Sequence, residues 1–114
     1  MPGTDRASIA RDFYRAFAAG DRNRIEALLA PGFAFFSPPD PGLDRVGYFE
    51  RCWPHAGNGY SFDFVRLIEA AGDELIVTYE ATRPDGSRFR NTEILGFDGE
   101  RVAKAEVYFG WNLE

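Results

Sequence analysis

Apolar positions recur every three to four residues up to Gly59 and every second residue beyond it, which separates a helical half from a strand half. In the first half, Thr4 or Asp5 is placed to cap a helix over 6–19 that Gly20 ends. Ile9, Phe13 and Phe17 form its apolar stripe, with Ala10, Tyr14 and Ala16 beside it. Asp21 caps a second, shorter helix with Ile25, Leu28 and Leu29 inward, and Pro31-Gly32 is expected to stop it. Phe33 to Ser37 reads as a strand. Pro38-Pro39-Asp40-Pro41-Gly42 is expected as a loop, because three prolines oppose regular pairing. Asp44 caps a third helix, with Val46, Phe49 and Trp53 predicted inward, and Pro54 breaks it. His55 to Gly59 is a second loop.

Four strands follow, over 60–70, 74–83, 88–97 and 101–111, with Asp-Gly hairpin signals at 85–86 and 98–99. Alternation sorts their faces. One face takes Leu75, Val77, Tyr79 and Ala81, then Phe89, Asn91, Glu93, Leu95 and Phe97, then Ala103, Ala105, Val107, Phe109 and Trp111. The other carries Thr78, Glu80, Arg90, Thr92, Ile94, Lys104, Glu106 and Tyr108. Helices first and an antiparallel meander after them is an α+β layout. At 114 residues with no internal repeat or linker, the chain is a single domain.

Composition narrows the function classes. A net charge of -5 argues against nucleic acid and against an anionic membrane as partners, since both need a basic face. One cysteine, Cys52, allows no internal disulfide, and one cysteine with one histidine cannot build the usual zinc frameworks. No calcium loop, phosphate loop or nucleophile elbow occurs, so neither metal nor cofactor is expected. The first residues lack an apolar targeting core, and no run is long enough to span a bilayer, so a cytoplasmic protein is expected. The 18 aromatic residues (11 Phe, 5 Tyr, 2 Trp) are enough both to fill a core and to wall a cavity.

Several segments together resemble the NTF2-like superfamily, in particular its small SnoaL-like branch. They are Phe13 to Asp21, Ile25 to Pro31, Arg90-Asn91-Thr92-Glu93 and the closing Glu106 to Trp111. The resemblance implies helices packed on a strongly bent antiparallel sheet, a cystatin-like cone enclosing a hydrophobic pocket. It also implies a homodimer joined through the outer sheet face, where Thr92, Ile94 and Tyr108 stand. Function varies widely across the superfamily, so fold alone assigns none. Ketosteroid isomerases are members, and their site maps onto this chain incompletely. The oxyanion-binding tyrosine falls on Phe13, with Tyr14 displaced from it by about 100° around the helix. The aspartate base falls on Ser37, which has no acid–base capacity without an activating partner. The protonated aspartate falls on Glu93.

Glu93 is the sharpest chemical signal, a carboxyl on an otherwise apolar strand face. Desolvation there raises its pKa toward neutrality and suits it to proton transfer. The alternative is a structural glutamate bonded to Asn91, a backbone amide or an arginine. His55, the only imidazole, is read either as a solvated loop residue or as a group at the pocket mouth. Phe13, Tyr14, Phe17, Phe35, Ser37 and Trp53 are the expected pocket lining from the helical half. Phe62, Phe64, Tyr79, Val107 and Phe109 are the expected lining from the sheet. Asp63 and Arg66 fall on opposite faces unless a bulge intervenes. The expected protein binds a hydrophobic small molecule and acts as an isomerase, cyclase or dehydratase. In it Glu93 shuttles a proton, Asn91 orients, and His55 or a tyrosine polarises the oxygen. The alternative is a non-catalytic ligand-binding or dimeric adaptor module, motivated by Ser37 where a base would stand.

Overall fold

The computed structural model of the protein describes residues 5–113. Asp5 is the cap of α1 (Arg6–Ala19), its carboxylate accepting from the Ser8 amide at 2.8 Å; Thr4 lies outside the described residues. Gly20 closes that helix in the left-handed region at φ 70°. Its backbone also lies against Gly57, where a Cβ would come within 3.0 Å of the Gly20 Cα. The Gly57 amide donates to the Phe17 carbonyl at 2.9 Å. Two residues without side chains thus seal the segment after His55 onto the end of α1.

Asp21 caps α2 (Arg22–Leu28), which ends three residues before Pro31. Leu29 already belongs to β1 (Leu29–Phe36), so Pro31-Gly32 lies inside the strand and does not stop the helix. A register shift between Leu29 and Ala34 absorbs the pair. The expected proline loop is also corrected. Ser37 and Asp40 exchange backbone hydrogen bonds of 3.1 and 3.0 Å around Pro38-Pro39, which starts β2 (Pro41–Asp44). The prolines are tolerated because β2 is an edge strand and Pro41 is its first residue. Asp44 caps α3 (Arg45–Arg51), accepting from the Gly47 amide at 2.8 Å. This helix buries Tyr48 and leaves Val46 65% exposed, contrary to the expected stripe. Pro54 does not end the local helical path, which continues as a tight turn over Trp53–His55.

The remaining strands are β3 (Ser61–Ala70), β4 (Glu74–Thr82), β5 (Arg88–Asp98) and β6 (Arg101–Leu113). The sheet order is β2-β1-β6-β5-β4-β3. Its pairs are antiparallel except β1 with β6, which is parallel, so the six-stranded sheet is mixed and not wholly antiparallel. It does not close. The three helices pack on one face, over a core that includes Phe13, Ile25, Leu29, Phe33, Leu75, Val77 and Leu95. Among the described residues no helix is long and apolar enough to cross a membrane.

Bulges decide which side chains face that core. Asn91 pairs with Phe109 but Arg90 pairs with Trp111, so Gly110 is the extra residue. Trp111 therefore turns to the outer face, where the Arg90 guanidinium lies 5.4 Å from its ring centroid. Phe97 pairs with Val102 and Gly96 with Lys104, so Val102, not Ala103, is the buried residue there. In β3 the extra residue is Val65, which puts Asp63 opposite Glu80 and Arg66 opposite Thr78. Asp63 and Arg66 thus share a face, the outer one, away from the helices. Glu80 joins Arg88 and Arg90 on that face, and Lys104 joins Glu74 and Glu106.

Candidate active site

Between the helices and the inner face of the sheet lies a cavity of about 370 Å³. Phe13, Tyr14 and Phe17 reach it from α1, Phe35 and Ser37 from β1 and its hairpin, and Phe62 and Tyr79 from β3 and β4. Glu93 comes from β5, Val107 and Phe109 from β6, and His55 from the turn after α3. Three expected lining or catalytic residues are not among its walls. Trp53 packs edge-on against Phe17 and Phe49, with centroids 5.9 and 5.7 Å away. Phe64 packs on the other side of Tyr14, at 5.6 Å. Asn91 is turned to the Gly110 bulge, its Oδ1 accepting from the Gly110 amide at 3.1 Å.

Glu93 is 6% exposed. Its partner is neither Asn91 nor an arginine: Tyr79 Oη donates to Glu93 Oε2 across 2.6 Å. Burial is the larger influence on the carboxyl and pushes its pKa up to about 7; Tyr79 and Tyr14 pull in the opposite direction. Tyr14 is 3% exposed, and burial together with the Glu93 charge lifts its pKa well above the ordinary tyrosine range. Among the described residues its hydroxyl has no partner at hydrogen-bond geometry, although it faces the Glu93 carboxyl and favours that group's charged form. On α1, the residue that faces Glu93 is therefore Tyr14, where counting along the helix put Phe13. Phe13 also lines the cavity, packed edge-on against Tyr14 at 5.1 Å.

The rim is more polar. Asp40 and Arg51 line it as an ion pair, with Arg51 Nε 2.5 Å from Asp40 Oδ1. Cys52 is half-buried beside them, and burial followed by the Asp40 charge pushes its thiol up to about 11. His55 is exposed at the mouth. Six residues line the cavity beyond the expected set: Asp40, Tyr48, Arg51, Cys52, Tyr60 and Phe89. Tyr48 on α3 and Cys52 at its C-cap stand four apart, the spacing of one helical face, and this was the available signal. Asp40 had none, since its position depends on the hairpin. Among the described residues no three His, Cys, Asp or Glu side chains are grouped as metal ligands.

The SnoaL-like domain model matches residues 10–105, most of the chain. The chain belongs to the SnoaL-like family. No curated protein matches this SnoaL-like domain in sequence. Solved structures share its fold. An NTF2-like protein of unknown function from Mesorhizobium loti is 22% identical, with 96% of this chain and 97% of that one covered and a TM-score of 0.74. A candidate ketosteroid isomerase from Kribbella flavida is 19% identical, over 94% of this chain and 78% of that one, at 0.76. A computationally designed binder of 17-OHP is 16% identical over 90% of each chain, at 0.69. At these identities the likeness establishes the NTF2-like fold, and the site must speak for the chemistry.

Proposed function

We propose that this SnoaL-like protein binds a hydrophobic carbonyl compound and moves a proton on it, with Glu93 as the shuttle. The observation that carries the reading is a carboxyl with a pKa of about 7, enclosed by rings, beside a buried tyrosine hydroxyl without a partner. A ligand carbonyl oxygen would satisfy Tyr14. Tyr14 keeps its proton at neutral pH and so remains a donor. With the carbonyl held there, the Glu93 carboxylate takes a proton from the adjacent carbon. The C–H electron pair passes into an enolate, whose oxygen Tyr14 stabilises. Returning the proton to a different carbon isomerises the ligand, and a carboxyl poised near neutrality serves both directions. His55 at the mouth is the candidate for a second polar contact, while Asn91 acts through the strand geometry.

Incubation in heavy water with a panel of bicyclic and tricyclic ketones tests this. Deuterium entering the α-position faster than in buffer, and lost in Glu93→Gln, is the expected result. Ketones that bind and exchange only at the buffer rate favour the second reading, a ligand carrier without chemistry. That reading rests on Ser37, which lines the cavity with no imidazole or carboxylate hydrogen-bonded to its hydroxyl among the described residues.

The protein is further proposed to be a homodimer joined through the outer sheet face. In support, Ile68, Ile76 and Ile94 pair in a row across β3, β4 and β5. The adjoining row holds Thr78, Thr92 and Tyr108. Ile68 and Tyr108 are about half exposed, at 50% and 52%.

A further inference from the structure

The Glu93 cavity shares three of its walls with a neighbouring recess. Tyr60, Phe89 and Phe109 line both it and a second recess of about 400 Å³, which Arg83, Asn91 and Gly110 also line. Arg83 follows β4, and its amide donates to the Ser87 carbonyl at 2.8 Å. Its guanidinium lies over the Phe89 ring, 4.3 Å from the centroid, and Nη1 donates to Ser87 Oγ at 3.2 Å. The backbone, the ring and the serine therefore fix the cation in place. Asp85 is the acid near it, and that carboxylate is engaged by the Ser87 amide and hydroxyl, at 2.9 and 2.6 Å. Among the described residues no carboxylate oxygen lies within 4.0 Å of the Arg83 guanidinium. Arg51, the other arginine lining either cavity, is already paired with Asp40.

We propose that the recess is a second subsite, which takes the acidic end of the ligand. On the reading of the Glu93 cavity given above, the substrate class is then a hydrophobic keto acid. Its ring and carbonyl sit at Tyr14 and Glu93, and its carboxylate reaches past Phe89 and Phe109 to Arg83. A guanidinium offers a carboxylate two parallel donors, and a ring beneath it keeps the fork in one orientation. Such a cation, stacked on a wall shared by two cavities and free of an ion pair, selects for an anion. The protein's net charge of -5 makes the local preference more telling, since the surrounding field opposes it.

The test uses ω-oxo-ω-phenylalkanoic acids with four to eight carbons in the chain, together with their methyl esters, in calorimetric titrations. Expected is a chain length at which the acid binds the native protein about tenfold or more tightly than its ester, equivalent to about 1.4 kcal/mol. Added salt weakens the acid selectively. Arg83→Gln lowers the acid to the affinity of its ester, Arg83→Lys recovers part of the difference, and Tyr14→Phe weakens acid and ester together. Equal binding of acid and ester by the native protein overturns the subsite and leaves the Glu93 cavity standing. So does an acid preference that survives Arg83→Gln in a variant with native circular dichroism. If neither acid nor ester binds at any length, the cavity reading fails and the subsite with it.

Discussion

Tyr79 and Glu93 meet diagonally across β4 and β5. Glu93 is paired with Val77 and Tyr79 with Asn91, yet the Tyr79 hydroxyl reaches Glu93 Oε2 at 2.6 Å. Among the described residues no cation acts on this carboxyl; burial dominates its pKa, and Tyr79 and then Tyr14 moderate it. Tyr79→Phe removes the donor and keeps the ring against Phe62 and Tyr14. The Glu93 midpoint should then rise above about 7, read by carbon-13 NMR of the labelled side-chain carboxyl. A midpoint that stays put or falls would show that the hydrogen bond does not stabilise the charged form.

The same carboxyl ties stability to pH. Glu93 goes from an ordinary 4.5 to about 7 on folding, so the folded state holds this proton more tightly than the unfolded state. Its contribution is fully present below about pH 4.5 and is lost as pH rises through about 7. The interval corresponds to roughly 3 kcal/mol. Glu93→Gln removes this one titration, so the stability difference between native and variant should drift toward the variant from pH 5 to pH 8. Denaturant melts at each pH measure it, and parallel curves for the two proteins would refute the coupling.

Gly110 is fixed by contact, not by its backbone angle. A Cβ there would stand 2.0 Å from the Arg90 carbonyl oxygen, across the bulge that Asn91 pins. Gly110→Ala should cost about 3 kcal/mol or more, because the two strands must part. Gly32→Ala is the control: no atom lies within 4 Å of the added methyl, and the change should stay within about 0.5 kcal/mol of zero. Comparable losses at both sites would mean that the bulge is pliable.

Glu93 was legible because period-two alternation put it among Phe89, Leu95 and Phe97, and its pairing partners did not alter that face. The errors cluster where one residue is added to a strand. Trp111 and Ala103 were assigned to the inner face by alternation, and the extra residues at Gly110 and Ala103 overturned it. A bulge is a relation between two strands, so a single strand's pattern does not reveal it. Val46 misled for a different reason. In a seven-residue helix the stripes through Val46 and through Tyr48 are equally regular, and only packing against Phe33 and Phe35 selects Tyr48. Asp40 entered the cavity rim through the Ser37–Asp40 hairpin, which its prolines concealed.

The outer face gives a prediction about assembly. Light scattering at about 10 μM should report twice the chain mass of 12.8 kDa, and Ile68→Lys with Tyr108→Lys should return it to the single-chain value. Both positions are half exposed, so the doubly substituted chain should keep its native circular dichroism. A native protein that scatters as a monomer would reject the dimer.

Tyr14 separates a role in binding from a role in folding. Its hydroxyl is buried without a partner, and a buried hydroxyl left unsatisfied costs the folded state about 1–3 kcal/mol. Its ring packs against Phe13, Phe62, Phe64 and Tyr79, and phenylalanine preserves those contacts. Tyr14→Phe should therefore leave stability unchanged or raise it by about 1 kcal/mol in urea melts. Affinity for a hydrophobic ketone should fall by about tenfold in the same variant, because the carbonyl loses its donor. A structural hydroxyl would give the reverse: a loss of stability with ketone affinity intact. A residue whose polar atom makes the empty protein less stable and the liganded one more so has its function in the ligand, and this pair of measurements shows on which side Tyr14 falls.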